Sequence, residues 1–133
     1  MNRLQHVGVF LTIVVLFLAL NACGTAQPNQ PTFGQLANTG QSVYATYCTE
    51  CHGANGEGIT GPAVIGAEAN LVKFQDAHKL LAYVSAAMPQ NNPGSLSDEE
   101  YRQLVSYLLI ANQRATGDQP FNPDELALIT LLP

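Results

Sequence analysis

The chain has 133 residues, enough for one domain, with ten acidic residues against five basic ones. A formal net charge of −5 argues against nucleic acid as a partner, because binding a phosphate backbone calls for a basic face. Three cysteines cannot all pair as disulfides within one chain, so at least one has another use.

The N-terminus sets the compartment. Met1-Asn2-Arg3 is a short basic start, and Val7 to Leu20 is an apolar run of 14 residues. That run is shorter than the roughly 20 residues a spanning helix needs and has the proportions of a secretory signal peptide. It ends Leu20-Asn21-Ala22-Cys23, which resembles the lipobox of bacterial lipoproteins. The resemblance implies cleavage before Cys23 and lipid on that cysteine, with residues 1–22 as the signal peptide. Ordinary cleavage nearby and an uncleaved anchor helix are the competing readings. Once Arg3 is removed, ten acids face four bases, six net negative charges. Residues 23–38 are expected to be the anchor cysteine and a linker, since Pro, Gln, Asn and Gly dominate Gly24 to Asn38. About 15 flexible residues have a root-mean-square span of roughly 20–23 Å, a tether that leaves a domain free to turn.

A helix is expected over Gly40 to Tyr47, capped by Asn38 or Thr39, with Val43, Tyr44 and Tyr47 as its apolar stripe. It runs into Cys48-Thr49-Glu50-Cys51-His52. C-x-x-C-H is the spacing of a c-type haem attachment site. Two intervening residues bring both sulfurs to one side of a helix end, where each can form a thioether with the porphyrin edge. His52 follows at once and aims its ring at the iron. Redox dithiols and zinc sites share the bare C-x-x-C. A zinc site would want a second Cys/His pair downstream, and a dithiol a βαβ pattern; neither is visible. The three cysteines are then accounted for, one lipidated and two bonded to haem. Both uses belong outside the cytoplasm.

Gly53 to Pro62 holds four glycines and reads as a loop that lets backbone press against a flat cofactor. Asp76 caps an expected helix from Ala77 to about Ala87, with Leu80, Leu81 and Val84 buried and Pro89 stopping it. After a loop over Gln90 to Ser95, Ser97 and Glu100 form a capping box, with Leu96 and Tyr101 placed as a hydrophobic staple. Tyr101, Leu104, Val105, Leu108 and Leu109 repeat at helical spacing, so this helix is expected to reach about Asn112. The tail, residues 117–133, starts a short apolar helix at Asn122-Pro123-Asp124-Glu125. That helix either packs on its own domain or docks on a partner subunit. No strand pattern persists.

Electron transfer at a haem iron wants two strong axial ligands, whereas catalysis wants one position open. Met88 is the one methionine left after signal removal, 36 residues past His52 and just before Pro89. It is the candidate sixth ligand; the alternative is a core methionine filling a gap. His78, the other histidine there, sits beside Lys79 and reads as a solvated surface residue.

The ordered set Gly40, Tyr44, Cys48-x-x-Cys51-His52-Gly53, Gly61-Pro62, Met88-Pro89, Leu104 and Tyr107 resembles a class I c-type cytochrome over about residues 39–113. The resemblance implies an all-α cytochrome c fold: a domain over 39–116 with three main helices around one covalently bound haem c and its iron, plus a short C-terminal helix. It implies that the first and last main helices cross, Gly40 and Tyr44 meeting Leu104 and Tyr107. It implies His52 and Met88 as iron ligands and the Pro62 carbonyl as hydrogen-bond acceptor for the free ring N–H of His52. The stretch from Met88 to Leu109 is similar to cytochrome subunits of bacterial quinoprotein dehydrogenases. The expected function is a carrier of single electrons rather than an enzyme, lipid-anchored in the bacterial periplasm or on the outer face of the cell membrane. Its donor and acceptor are redox proteins with a basic docking face; the alternative is a subunit of a dehydrogenase or respiratory complex docked through the tail. A peroxidase would need a placed histidine, arginine or acid beside an open iron, and none is visible.

Overall fold

The computed structural model describes residues 30–133; the expected signal peptide, Cys23 and the first part of the expected linker lie outside the described residues. Helix α1, Phe33–Tyr47, starts at Thr32. The Thr32 hydroxyl accepts from the Gln35 N–H at 3.2 Å, and the Gln35 Oε1 accepts from the Thr32 N–H at 2.9 Å. Phe33, Leu36, Ala37, Gly40, Val43 and Tyr44 are buried along it, one apolar face at helical spacing. The expected linker over 23–38 is therefore corrected. From Thr32 the chain is folded, and the domain begins before residue 39. Part of the helix start is completed from the far end of the chain. The N–H groups of Phe33 and Gly34, which a helix start leaves without internal partners, donate to the carbonyls of Gln119 and Gly117 at 2.9 and 3.0 Å.

The haem motif forms a single turn, α2, Thr49–His52. A loop and a 3-10 turn, Asn70–Phe74, lead to α3, Ala77–Ala87, where the Asp76 carboxylate caps the Lys79 N–H at 2.9 Å. Helix α4, Asp98–Ala111, opens on the expected capping box of Ser97 and Glu100. Leu96 and Tyr101 are both buried, as a staple requires. Helices α1 and α4 cross at Gly40. A Cβ there would strike the Gln103 carbonyl and lie 3.0 Å from the Tyr107 Cβ, so glycine is what lets the two backbones approach. One turn on, the Tyr44 and Tyr107 rings sit 5.5 Å apart, tilted by 46°.

The tail packs on its own domain, the first of its two expected readings. Its expected helix is a 3-10 turn, Pro123–Leu128. Leu126 and Leu131 are fully buried, and the Phe121 ring meets Phe33 edge-on at 5.2 Å. Burying a leucine or phenylalanine side chain contributes about 1.5–3 kcal/mol each. Backbone bonds fix the path: the Ala77 N–H donates to the Ile129 carbonyl at 3.0 Å, and the Leu131 N–H to the Gln75 carbonyl at 2.8 Å. Two isolated bridges, Thr32 with Pro120 and Asp76 with Thr130, are the only extended pairing among the described residues. The fold is all-α, with α1, α3 and α4 as its main helices.

Candidate functional site

The haem motif is pinned from both sides. Behind it, the Tyr44 hydroxyl donates to the Gly53 carbonyl at 2.7 Å, joining α1 to the residue after His52. Ahead of it, the glycine loop folds back on the motif's own backbone. Gly58 N–H donates to the His52 carbonyl at 2.7 Å, and Gly61 N–H to the Cys51 carbonyl at 2.9 Å. The return brings Pro62 alongside the histidine. His52 Nδ1 lies 2.8 Å from the Pro62 carbonyl oxygen. A carbonyl only accepts, so Nδ1 carries a proton, and in the neutral ring Nε2 then keeps its lone pair. A Cβ on Gly61 would come within 2.9 Å of His52 Cε1, so this glycine is required for the ring to sit where it does.

A cavity of about 580 Å³ opens beside the motif. Cys48, Cys51, His52, Pro62 and Met88 all line it. Leu80, Val84, Leu104 and Leu108 give it apolar walls from α3 and α4. The volume lies in the range of small-molecule and cofactor sites, and mostly apolar walls with few placed polar groups are their usual composition. Tyr47, expected on the buried stripe of α1, is 47% exposed and lines this cavity instead. His78 is exposed and does not line it.

Burial, chiefly, with Cys51 adding to it, pushes the Cys48 thiol up to about 11. Reactive dithiols show the opposite, a lowered thiol. No group of three or more His, Cys, Asp or Glu side chains that could hold a metal ion exists among the described residues. Two neighbouring thiols, an imidazole with a free Nε2 and a thioether around one apolar cavity suit a covalently held haem. The tyrosine beside them is itself perturbed. Burial, then the Cys48 thiol, pushes the Tyr44 phenol up to about 12, so it stays protonated and remains a donor to Gly53.

Two residues that position this site were missed in the sequence. Tyr101, read only as a staple, donates its hydroxyl to the Met88 carbonyl at 2.7 Å and so ties the start of α4 to Met88. Asn112, read only as a helix end, donates to the Val64 carbonyl at 2.9 Å and accepts from the Gly66 N–H at 3.1 Å. It thereby clamps the loop that carries Pro62. A polar residue closing a strongly apolar helix was the available signal; its loop partner was not readable.

The profile of the family described as cytochrome c oxidase, cbb3-type, subunit III, matches residues 35–108, more than half of the chain. A thiosulfate dehydrogenase from Psychrobacter arcticus is 32% identical over 92 residues, 62% of this chain and 26% of that protein. A cytochrome c-553-like protein from Synechocystis sp. is 26% identical over 72 residues, 54% of this chain and 66% of that protein. The chain thus spans about a quarter of the length of the first and about two thirds of the second. Among solved structures, the sulfane dehydrogenase SoxCD from Paracoccus pantotrophus superposes with a TM-score of 0.61 at 20% identity, over 76% of this chain and 58% of that chain. At that identity the likeness concerns the fold.

Proposed function

Because the chain belongs to the family described as cytochrome c oxidase, cbb3-type, subunit III, and is a monohaem class I c-type cytochrome with covalent haem c, we propose that it carries single electrons between redox proteins while tethered to a membrane through Cys23. The observation that carries the proposal is the one cavity onto which Cys48, Cys51, His52 and Met88 all open. Bound haem supplies the one-electron Fe(II)/Fe(III) couple. The Cys48 and Cys51 sulfurs hold it by thioethers. His52 offers Nε2 to the iron because Nδ1–H is engaged by Pro62 at 2.8 Å, a contact that fixes the ring and strengthens it as a ligand. Met88, on the same cavity, would supply its sulfur as a further ligand. A methionine–histidine pair would set a higher potential than two histidines, as electron transfer wants. The tether and the location outside the cytoplasm rest on the leader, Leu20-Asn21-Ala22-Cys23 and the haem motif together.

Intact mass after denaturation is expected to retain one haem. The weak near-infrared band of sulfur bound to ferric iron is expected in the wild type and absent from Met88→Ala. Met88→His is expected to stay low-spin at a lower potential. Spectra unchanged in both variants would sink the ligand assignment.

A second reading places the chain as the electron outlet of a dehydrogenase, and the likeness to a thiosulfate dehydrogenase favours it. Docking through the tail, as a complex subunit, would use Leu128 and Leu132, which are 80% and 47% exposed while Leu126 and Leu131 face inward. Detergent pull-down from native membranes tests this: a dehydrogenase retained stoichiometrically supports it, and the cytochrome recovered alone argues against it.

A further inference from the structure

Haem c carries two propionate carboxylates, and the cavity lining holds one Lys or Arg side chain, Lys73. We infer that Lys73 pairs with a haem propionate and raises the reduction potential of the iron. The inference rests on haem occupying this cavity.

The other basic residues among those described do not line the cavity. Lys79 Nζ is 3.2 Å from Asp76, and Arg102 is 3.2 Å from Glu99. Arg114 donates to the Leu132 carbonyl at 3.0 Å. Lys73 makes no ion pair among the described residues. Its ammonium lies 5.0 Å from the centroid of the Phe74 ring and 5.5 Å from that of Tyr83. Both rings also line the cavity and lie 5.0 Å apart. Cation–π attraction and the apolar stem on two rings restrict where the ammonium can go. The rest of the lining has one acid, Glu50, and no second Lys or Arg. A carboxylate brought against largely apolar walls needs a partner or water, and Lys73 is the only Lys or Arg among the lining residues, beside neutral donors such as Asn70 and Gln90.

The consequence for redox follows from charge. Reducing the iron adds one negative charge to a site already carrying propionates. A fixed cation beside them favours the reduced state, so its loss lowers the midpoint potential.

The test is spectroelectrochemical titration of the haem-loaded full chain at one pH and ionic strength. Wild type, Lys73→Gln, Lys73→Arg and Arg102→Gln are compared. Arg102→Gln removes the same charge away from the cavity. The expected result is a midpoint clearly lower in Lys73→Gln than in Arg102→Gln, with Lys73→Arg close to wild type. An unchanged midpoint in Lys73→Gln, or an equal fall in both neutralised variants, overturns the inference. Lys73→Met keeps an unbranched stem over the two rings and gives the same reading if the Gln variant does not mature. A wild type without covalent haem or low-spin iron would instead strike at the haem reading beneath it.

Discussion

The phenol of Tyr101 does two jobs with one ring. Its apolar body is buried at the start of α4, and its hydroxyl reaches the Met88 carbonyl at 2.7 Å. Met88 follows the last residue of α3, so its backbone has no helix beyond it to hold its carbonyl. Removing the hydroxyl leaves a partly buried acceptor unpaired, which costs about 1–3 kcal/mol. Tyr101→Phe is therefore expected to unfold at lower temperature and to show a weaker near-infrared sulfur–iron band. A variant with both properties of the wild type would show that Met88 is held by other contacts. The haem motif itself could be read from spacing alone, because C-x-x-C-H carries its chemistry within five residues. Pro62 came through family resemblance. Tyr101 could not be read, because nothing in a capping sequence says where a tyrosine hydroxyl ends.

Helix starts divide along the same line. Asp76 and Ser97 stand directly before periodic apolar runs, and both helices begin where the caps put them. Thr32 and Gln35 form a capping box of the same chemistry, but the apolar run behind it is broken. Gly34, Asn38 and Gly40 interrupt the pattern, and the carbonyls that complete the start come from Gly117 and Gln119. Gly40 looks like a helix fault and is the crossing point with α4. Gly40→Ala is expected to force the helices apart at a cost of about 1–3 kcal/mol, the usual range for overpacking. Thermal unfolding of the haem protein reads it, and a melting temperature within a degree of wild type would mean the crossing gives way freely. The caps also carry a pH dependence. Hydrogen bonds from the Lys79 N–H, chiefly, hold the Asp76 carboxyl below its ordinary range, and the Ser97 N–H and hydroxyl do the same for Glu100. The folded chain binds these protons less readily than the unfolded chain. The stability they contribute is present above the unfolded pKa and is lost as pH falls through the folded one. Melting temperature is expected to drop as pH goes below about 4, with a smaller drop on acidification in Asp76→Asn. An equal drop in that variant would assign the acid sensitivity to other groups.

Charge acts on the domain as one body. Residues 30–133 hold all ten acids and four bases, and propionates add to the excess of negative charge. A partner exchanging electrons rapidly is expected to present a basic face, with electrostatic steering raising the association rate. Screening shortens to about 8 Å at physiological ionic strength, so the bimolecular rate is expected to fall as salt is added. Glu50 is the acid to change. It is exposed, lies between the two cysteines and lines the haem cavity. Glu57 is the wrong choice, because its carboxylate accepts from the Asn55 N–H at 2.8 Å and shapes the motif loop. Glu50→Gln is expected to slow electron transfer at low salt and to flatten the salt dependence, leaving the rate at high salt near that of wild type. Stopped-flow transfer with the native partner across a salt series measures both. A wild-type rate that is flat in salt, or that climbs with it, would mean that contact is apolar around the haem edge and that the acids serve solubility alone.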